Sequence, residues 1–248
     1  IGGQANFING GFVRFNDKNS TGLNNNGTST LFSGSAYFSK SGSLKMGGIM
    51  VVSGNMVSER NVEIIGVNPL TLNLNTNNNS ISGIISGASL IKDGKGTLVL
   101  SGNSPNYTGN LNVNAGVLQV SGNFVRSNAI ITDGTLQGSG QVAKVTASQN
   151  FKGTFSPGSP TGTFTDAGAL TLNSNSKFRS VINGSSLGMF GQARTAGTVT
   201  LGNSTLELLP TYNNLAVNQK IKLIDNRSPF QVAGTFNGLA EGQTFRVG

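Results

Sequence analysis

The sequence predicts an all-β chain wound into short stacked coils, on three observations. First, apolar–polar alternation recurs in brief segments: Thr97-Leu98-Val99-Leu100, Asn110-Leu111-Asn112-Val113 and Val117-Leu118-Gln119-Val120. Alternation is the period of a strand, whose side chains point to opposite faces in turn. Leu98, Leu100, Leu111, Val113, Leu118 and Val120 are therefore expected on one buried face, with Thr97, Asn110, Asn112 and Gln119 outward. Second, the form Gly-x-(Leu/Val)-x-(Leu/Val) returns at Gly96, Gly109, Gly116, Gly168 and Gly197, with Pro69 opening an equivalent Leu70-Thr71-Leu72-Asn73-Leu74. Glycine suits a corner between strands because such corners often need φ > 0. Third, no amphipathic helix of useful length is found. The best candidate, Leu187 to Thr195, contains two glycines, each costing about 1 kcal/mol relative to alanine in a helix interior.

Taken in order, the chain is least regular before Val67. Asn6 to Phe15 reads as two short strands around the turn Asn9-Gly10, and Asn19 to Thr28 as a polar loop. Leu31-Phe32, Ala36 to Phe38, Leu44 to Val52 and Val62 to Val67 are further strand candidates. From Pro69 the repeat sharpens, and Asn and Ser after each strand are placed to bond corner backbone with their own side chains and to stack into ladders between coils. Gly134-Thr135-Leu136 is a shortened copy of the glycine-led form. Phe155 to Phe164 contains a tight Pro/Gly turn between two strands. Ser180 to Gly184 ends another strand, and Leu206 to Leu209 and Ile221 to Ile224 follow. Eight of the 14 phenylalanines lie in Phe151 to Phe245 and none between Phe38 and Phe124, so the bulkier core is expected in the C-terminal third. Two sections are drawn, 1–143 and 144–248, with no linker between them. Coils of roughly 20–25 residues, spaced about 4.8 Å apart, would give about ten to twelve turns in a rod on the order of 50 Å long.

Composition narrows the function. The 248 residues include 36 glycines without a three-residue period, no His, no Cys and no Trp, and only 10% charged side chains. Ser-His-Asp, Cys-His and His- or Cys-ligated zinc chemistry are thus excluded. Lack of cysteine suits export in an unfolded state, and equally a surface protein in which cysteine is simply rare. The chain starts at Ile1 without a signal-like leader and is read as a mature or trimmed fragment. The nine carboxylates are scattered. Glu59 and Glu63 are the closest pair; on one strand they would stand about 13 Å apart, wider than a glycosidase pair needs. No catalytic, cofactor-binding or metal-ligating residue is identified, and no cofactor is expected.

The net charge of +8 and pI near 10.1 favour anionic contacts such as lipopolysaccharide, acidic glycans or extracellular nucleic acid. The cations come in spaced pairs, Lys92/Lys95, Lys177/Arg179 and Lys220/Lys222. The i,i+2 spacing of the last two puts both charges on one outer strand face, with Phe178, Ile221 and Leu223 inward. Lys177, Arg179, Lys220 and Lys222 are the candidate anion-contacting surface, against the plainer reading of a solvated face. Asn106-Tyr107-Thr108 and Asn203-Ser204-Thr205 match glycosylation acceptors, but corner capping is the simpler role. Tyr107 offers either a stacking face for a sugar or a cover over a corner.

The stretch from Ile81 to Asn123 carries a more specific signal. Ile81-Ser82-Gly83, Leu90, Lys92, Gly94, Gly96-Thr97-Leu98, Ser101-Gly102, Asn106-Tyr107-Thr108-Gly109 and Ala115-Gly116 resemble the passenger-associated repeat of bacterial autotransporters, with Ser104-Pro105 lengthening one corner. Phe155-Ser156-Pro157-Gly158 and Gly234 to Leu239 resemble elements near the end of such passengers. The resemblance implies a right-handed parallel β-helix exported through an outer-membrane β-barrel, which the chain itself does not contain, to the bacterial cell surface. It also implies that the C-terminal coils help the rest to fold. Two non-enzymatic roles follow: a stem or adhesin in surface attachment or aggregation, or a processed subunit that assembles end to end with copies of itself into a fibre. Anionic cell-surface glycans are the other expected partner. A polysaccharide-acting β-helix enzyme is the lesser alternative, because few carboxylates are left for calcium.

Overall fold

A computed structural model describes residues 5–7, 12–15, 29–32, 34–38, 43–76, 78–158, 160–211, 219–240 and 243. Among them every element is a strand. Strand pairs between successive coils are all parallel, so the chain is a parallel β-solenoid. One sheet of thirteen strands and one of ten run along the stack. A third, of three strands, comprises Ser43–Met46, Asn61–Ile64 and Ile85–Gly87.

Register builds the core. Leu98, Leu118, Leu136, Phe155 and Phe178 occupy successive rungs of the ten-stranded sheet, all fully buried. Leu70, Leu90, Leu111, Ala129, Val145, Leu170 and Val199 form the matching column of the larger sheet, also buried. Each leucine so enclosed contributes about 1.5–3 kcal/mol. The inward assignment of Leu98, Leu100, Leu111, Val113, Leu118 and Val120 holds at every position. The expected aromatic core of the C-terminal coils is present: Phe155 meets Phe164 and Phe178 edge to face, with centroids 5.4 and 5.8 Å apart. Phe236 leans on Phe178 at 5.8 Å.

Several boundaries differ from the sequence reading. Leu44 to Val52 is not one strand; it breaks at Gly47-Gly48 into Ser43–Met46 and Ile49–Val52, which belong to different sheets. The strands Ala5–Phe7 and Phe12–Phe15 also enter different sheets, so they are successive sides of a coil rather than a hairpin. Their Asn9-Gly10 turn and the loop from Asn19 to Thr28 lie outside the described residues. Near the end, the strand is Ile224–Asn226 rather than Ile221 to Ile224. Coil length grows toward the C-terminus: the cross-coil bond Gln119–Gln137 spans 18 residues and Arg194–Asp225 spans 31. Both long sheets continue across residue 143, within the strand Gln141–Ala147 of one and between Thr135–Gly138 and Thr154–Pro157 of the other.

The glycine corners have a different cause from the one expected. Of the five repeat glycines, only Gly116 has positive φ, at 62°. Gly96 is required by proximity: a Cβ there would lie 1.8 Å from the Thr76 carbonyl oxygen of the preceding coil. Side-chain bulk at this corner would hold two coils apart.

Candidate functional site

The Glu59/Glu63 pair is not assembled for carboxylate chemistry. Glu59 and Glu63 do not share a strand, because the chain turns at Arg60 between Met56–Ser58 and Asn61–Ile64. The 13 Å separation expected for one strand therefore does not apply. Glu63 pairs instead with Lys45 of the neighbouring rung at 3.4 Å, with both side chains about half exposed. Such a pair contributes at most about 1 kcal/mol. Among the described residues no group of three acidic, His or Cys side chains is placed to hold a metal ion.

The first basic pair is built as the alternation requires. Lys177–Ile182 exposes Lys177 and Arg179 in part and buries Phe178. Register sets Arg179 opposite Glu207 of the next coil. Glu207 accepts hydrogen bonds from Arg179 Nε and, at 3.1 Å, from Lys177 Nζ. The Arg179 bond first, then the Lys177 bond and the two positive charges, hold the Glu207 carboxyl below its ordinary range. One carboxylate thus offsets half of this basic face. Arg179 also borders a shallow groove of about 330 Å3 with Gln137, Ser156, Pro160, Val181 and Leu209. No reactive pair converges there.

The second pair is arranged otherwise. Lys220 and Lys222 are exposed in irregular backbone just before Ile224–Asn226, while Ile221 and Leu223 are partly buried beside them. Lys222 lies 3.7 Å from Asp225, on which two further cations converge: Arg194 Nε at 3.1 Å and Arg227 Nε at 3.0 Å. The Arg227 and Arg194 hydrogen bonds and the neighbouring positive charges draw the Asp225 carboxyl down. Sequence reasoning missed Arg194 and Arg227 because they lie on different coils, and only register brings Arg194 opposite Asp225. Lys177 and Arg179 share one strand face around Glu207, whereas Lys222 joins a separate cluster on Asp225 and Lys220 has no ion pair with a described residue.

The spaced pair Lys92/Lys95 is divided between interior and surface. Lys95 is exposed, whereas Lys92 is fully buried in register with Leu72 and Val113. Its Nζ donates to the carbonyls of Asp93, Gly94 and Ala115 at 2.7, 2.9 and 3.2 Å. Burial pulls its pKa from 10.5 to about 8, against a small opposing effect of Asp93. The signal was available: Lys92 lies two residues from Leu90, in phase with the core. Asp166 is a second internal charge. Thr195 Oγ1 donates to its Oδ1 at 2.6 Å, while Oδ2 is buried without a hydrogen-bond partner. Burial raises its pKa from 3.8 to about 7, only partly opposed by the Thr195 bond.

Tyr107 covers a corner and presents no face to a sugar. It is 2% exposed, packs edge to face on Phe124, and donates its hydroxyl to the Ala88 carbonyl at 2.6 Å. Burial drives its pKa upward. It stands where the third sheet stops after Ile85–Gly87 and fills that side of the coil. Asn106 and Asn203 are exposed, and Asn203 has φ 60°, a turn conformation. The outward polar residues do form ladders: Asn128 Nδ2 donates to Asn110 Oδ1 at 3.2 Å, and Gln137 Nε2 to Gln119 Oε1 at 3.0 Å. In the core, Asn79 ties three coils together through the Met56 amide and the Thr76 and Thr97 carbonyls.

Residues 90–120 match the family model of the passenger-associated-transport-repeat. No curated protein matches the chain. The matched segment contains Lys92 with its three carbonyl acceptors, the close-packed Gly96 corner, the buried Tyr107 and the column leucines Leu98 and Leu118, so the repeat coincides with the devices that hold one coil on the next. The chain is a parallel β-solenoid that carries the passenger-associated-transport-repeat, and in both respects it resembles an autotransporter passenger.

Proposed function

We propose that this chain is the non-enzymatic stem of an exported bacterial surface protein, acting in attachment or aggregation at the cell surface. The observation that carries the reading is the passenger-associated repeat set within an uninterrupted parallel stack. Its outer face is a polar wall and its interior is filled by leucine and phenylalanine. Such a stack projects what it carries and grows by nearest-neighbour contacts. Export takes the chain across the outer membrane through a β-barrel translocator. The basic residues Lys177 and Arg179 on one sheet, and Lys220 and Lys222 beside the other, meet anionic glycans there.

An antibody against the chain should label intact cells of the native host, and external protease should remove the label. Labelling only after lysis would overturn this reading. A second reading, end-to-end assembly into a fibre, is favoured by one observation. The strand Thr205–Pro210 pairs with Lys177–Ile182 on one side, and no described strand pairs on its other side; Leu209 there is 40% exposed. Unpaired strand edges template further strands. Size-exclusion chromatography with negative-stain imaging separates the two: a monodisperse monomer at high concentration excludes the fibre, and regular filaments exclude a purely monomeric stem.

A further inference from the structure

The cluster on Asp225 holds more positive charge than its own carboxylate requires. Arg194 and Arg227 both donate through Nε to the same oxygen, Asp225 Oδ2, and Lys222 approaches Oδ1. Three cations share one carboxylate, which leaves an excess of two positive charges. The two guanidinium groups are thereby held side by side, an arrangement that like-charge repulsion opposes unless an anion joins them. With Nε engaged, neither arginine has a hydrogen bond from its Nη groups to any described residue, and those donors have the planar geometry that grips phosphate and carboxylate oxygens two at a time.

The backbone beneath is anchored. Gln192 Nε2 donates to the Lys222 carbonyl at 2.7 Å, the Ala193 amide to the Leu223 carbonyl at 2.9 Å, and the Arg227 amide to the Thr195 carbonyl at 2.8 Å. The cations therefore stand on a fixed rung rather than on a loose loop. Along the outer face of the same sheet, Gln141, Thr165 and Arg194 follow one another in register before Asp225. That column offers amide and hydroxyl groups beside the charges, as sugar hydroxyls need.

We propose that Arg194, Lys222 and Arg227, gathered on Asp225, form a binding site for a phosphomonoester carried on a polysaccharide. A phosphomonoester bears close to two negative charges at neutral pH, which matches the excess of the cluster, and its oxygens suit the paired guanidinium donors. Asp225 is the positioning residue: it holds the arginines and does not touch the ligand. That the polysaccharide lies on a cell surface rests on the attachment reading above; affinity for the phosphomonoester does not.

The test titrates the 248-residue chain with a phosphomannan and with the same polymer after phosphatase treatment, at low and at physiological salt. Binding is expected only to the phosphorylated polymer and should weaken with salt. The Arg194→Gln/Arg227→Gln double variant should lose about tenfold or more in affinity. Lys95→Gln/Lys152→Gln, at exposed positions on earlier coils, should stay within about twofold of the parent. Asp225→Asn is decisive because it raises the net charge while releasing the arginines. A built site binds more weakly in that variant, whereas tighter or unchanged binding would mean a diffuse positive patch and would overturn the proposal. Equal losses in both double variants, or equal binding to the dephosphorylated polymer, would do the same. So would binding confined to phosphatidylcholine vesicles containing phosphatidic acid, which would move the ligand from a glycan to a lipid. Unaltered thermal unfolding of Arg194→Gln/Arg227→Gln confirms that lost binding is not lost folding; if that variant unfolds, the single Lys222→Gln change, at an exposed position, must weaken binding severalfold. Failure of this test with surface labelling intact would remove the site and leave the stem; failure of labelling with binding intact would do the reverse.

Discussion

Lys92 shows how a charged residue becomes a core residue. Its ammonium is buried in the stack, and burial of an unpaired ammonium is prohibitive; three carbonyl oxygens at 2.7–3.2 Å replace its water. Lys92→Met keeps most of the apolar volume but leaves those carbonyls without the donor. We expect a loss of about 2 kcal/mol, read from urea unfolding at neutral pH. Because the folded pKa is lowered from 10.5 to about 8, the unfolded chain binds the extra proton between these values. The proton-linked part of the Lys92 contribution therefore rises with pH across that window and is lost as pH falls through about 8, where the hydrogen bonds of the ammonium remain. Asp166 has the opposite sense. Its folded pKa is raised from 3.8 to about 7, so the folded state holds the proton that the unfolded state has released. Stability from this group is present below about pH 4 and is lost as pH rises through about 7. Asp166→Asn should flatten that decline, which is on the order of 3 kcal/mol; urea midpoints at pH 5 and pH 8 measure it. A wild-type midpoint that does not fall between those pH values would contradict the assignment.

At the scale of the element, each strand is only a few residues long and gains its stability from the rungs above and below. A turn must therefore bring the backbone of one coil against that of its neighbour, and bulk at the contact is costly. Gly96→Ala would place a methyl group 1.8 Å from the Thr76 oxygen, so the two coils must separate. We expect a loss of at least about 2 kcal/mol, visible as a lowered thermal midpoint; a parent-like midpoint would show that the corner relaxes freely. On the strand itself, Leu98→Asp or Leu118→Asp puts an unpaired carboxylate into a column with no exposed surface. Burying such a charge costs more than the whole site contributes, so neither variant should fold normally. Parent-like thermal unfolding of either would refute the inward assignment.

Across the whole molecule, each coil touches chiefly its neighbours, so damage spreads along the stack rather than through a common centre. Hydrogen exchange on Leu118→Asp should lose protection first in Thr97–Leu100 and Thr135–Gly138, the two rungs that pair with Val117–Val120, and less with every further coil. Uniform loss throughout the chain would indicate a single cooperative unit. The longer C-terminal coils differ in kind. They carry the stacked phenylalanines inside and both carboxylate-organised basic clusters outside, so surface charge and bulky packing coincide in that section.

Alternation and corner residues by themselves determined that the chain is all-β, that Leu98, Leu100, Leu111, Val113, Leu118 and Val120 face the interior, and where the repeat lies, because a strand's two faces are written in a local period of two. Residues at a distance were decided by the tertiary structure. Whether Leu44 to Val52 is one strand or two depends on which sheet each half joins. Whether Gly96 is needed for its φ or for its lack of Cβ depends on a carbonyl twenty residues away. Lys92 and Asp166 are inside because the rungs around them enclose them, and Arg194 meets Asp225 because a 31-residue coil brings the chain back into register. Local sequence sets the direction of each side chain; only the stacking of coils sets what it meets.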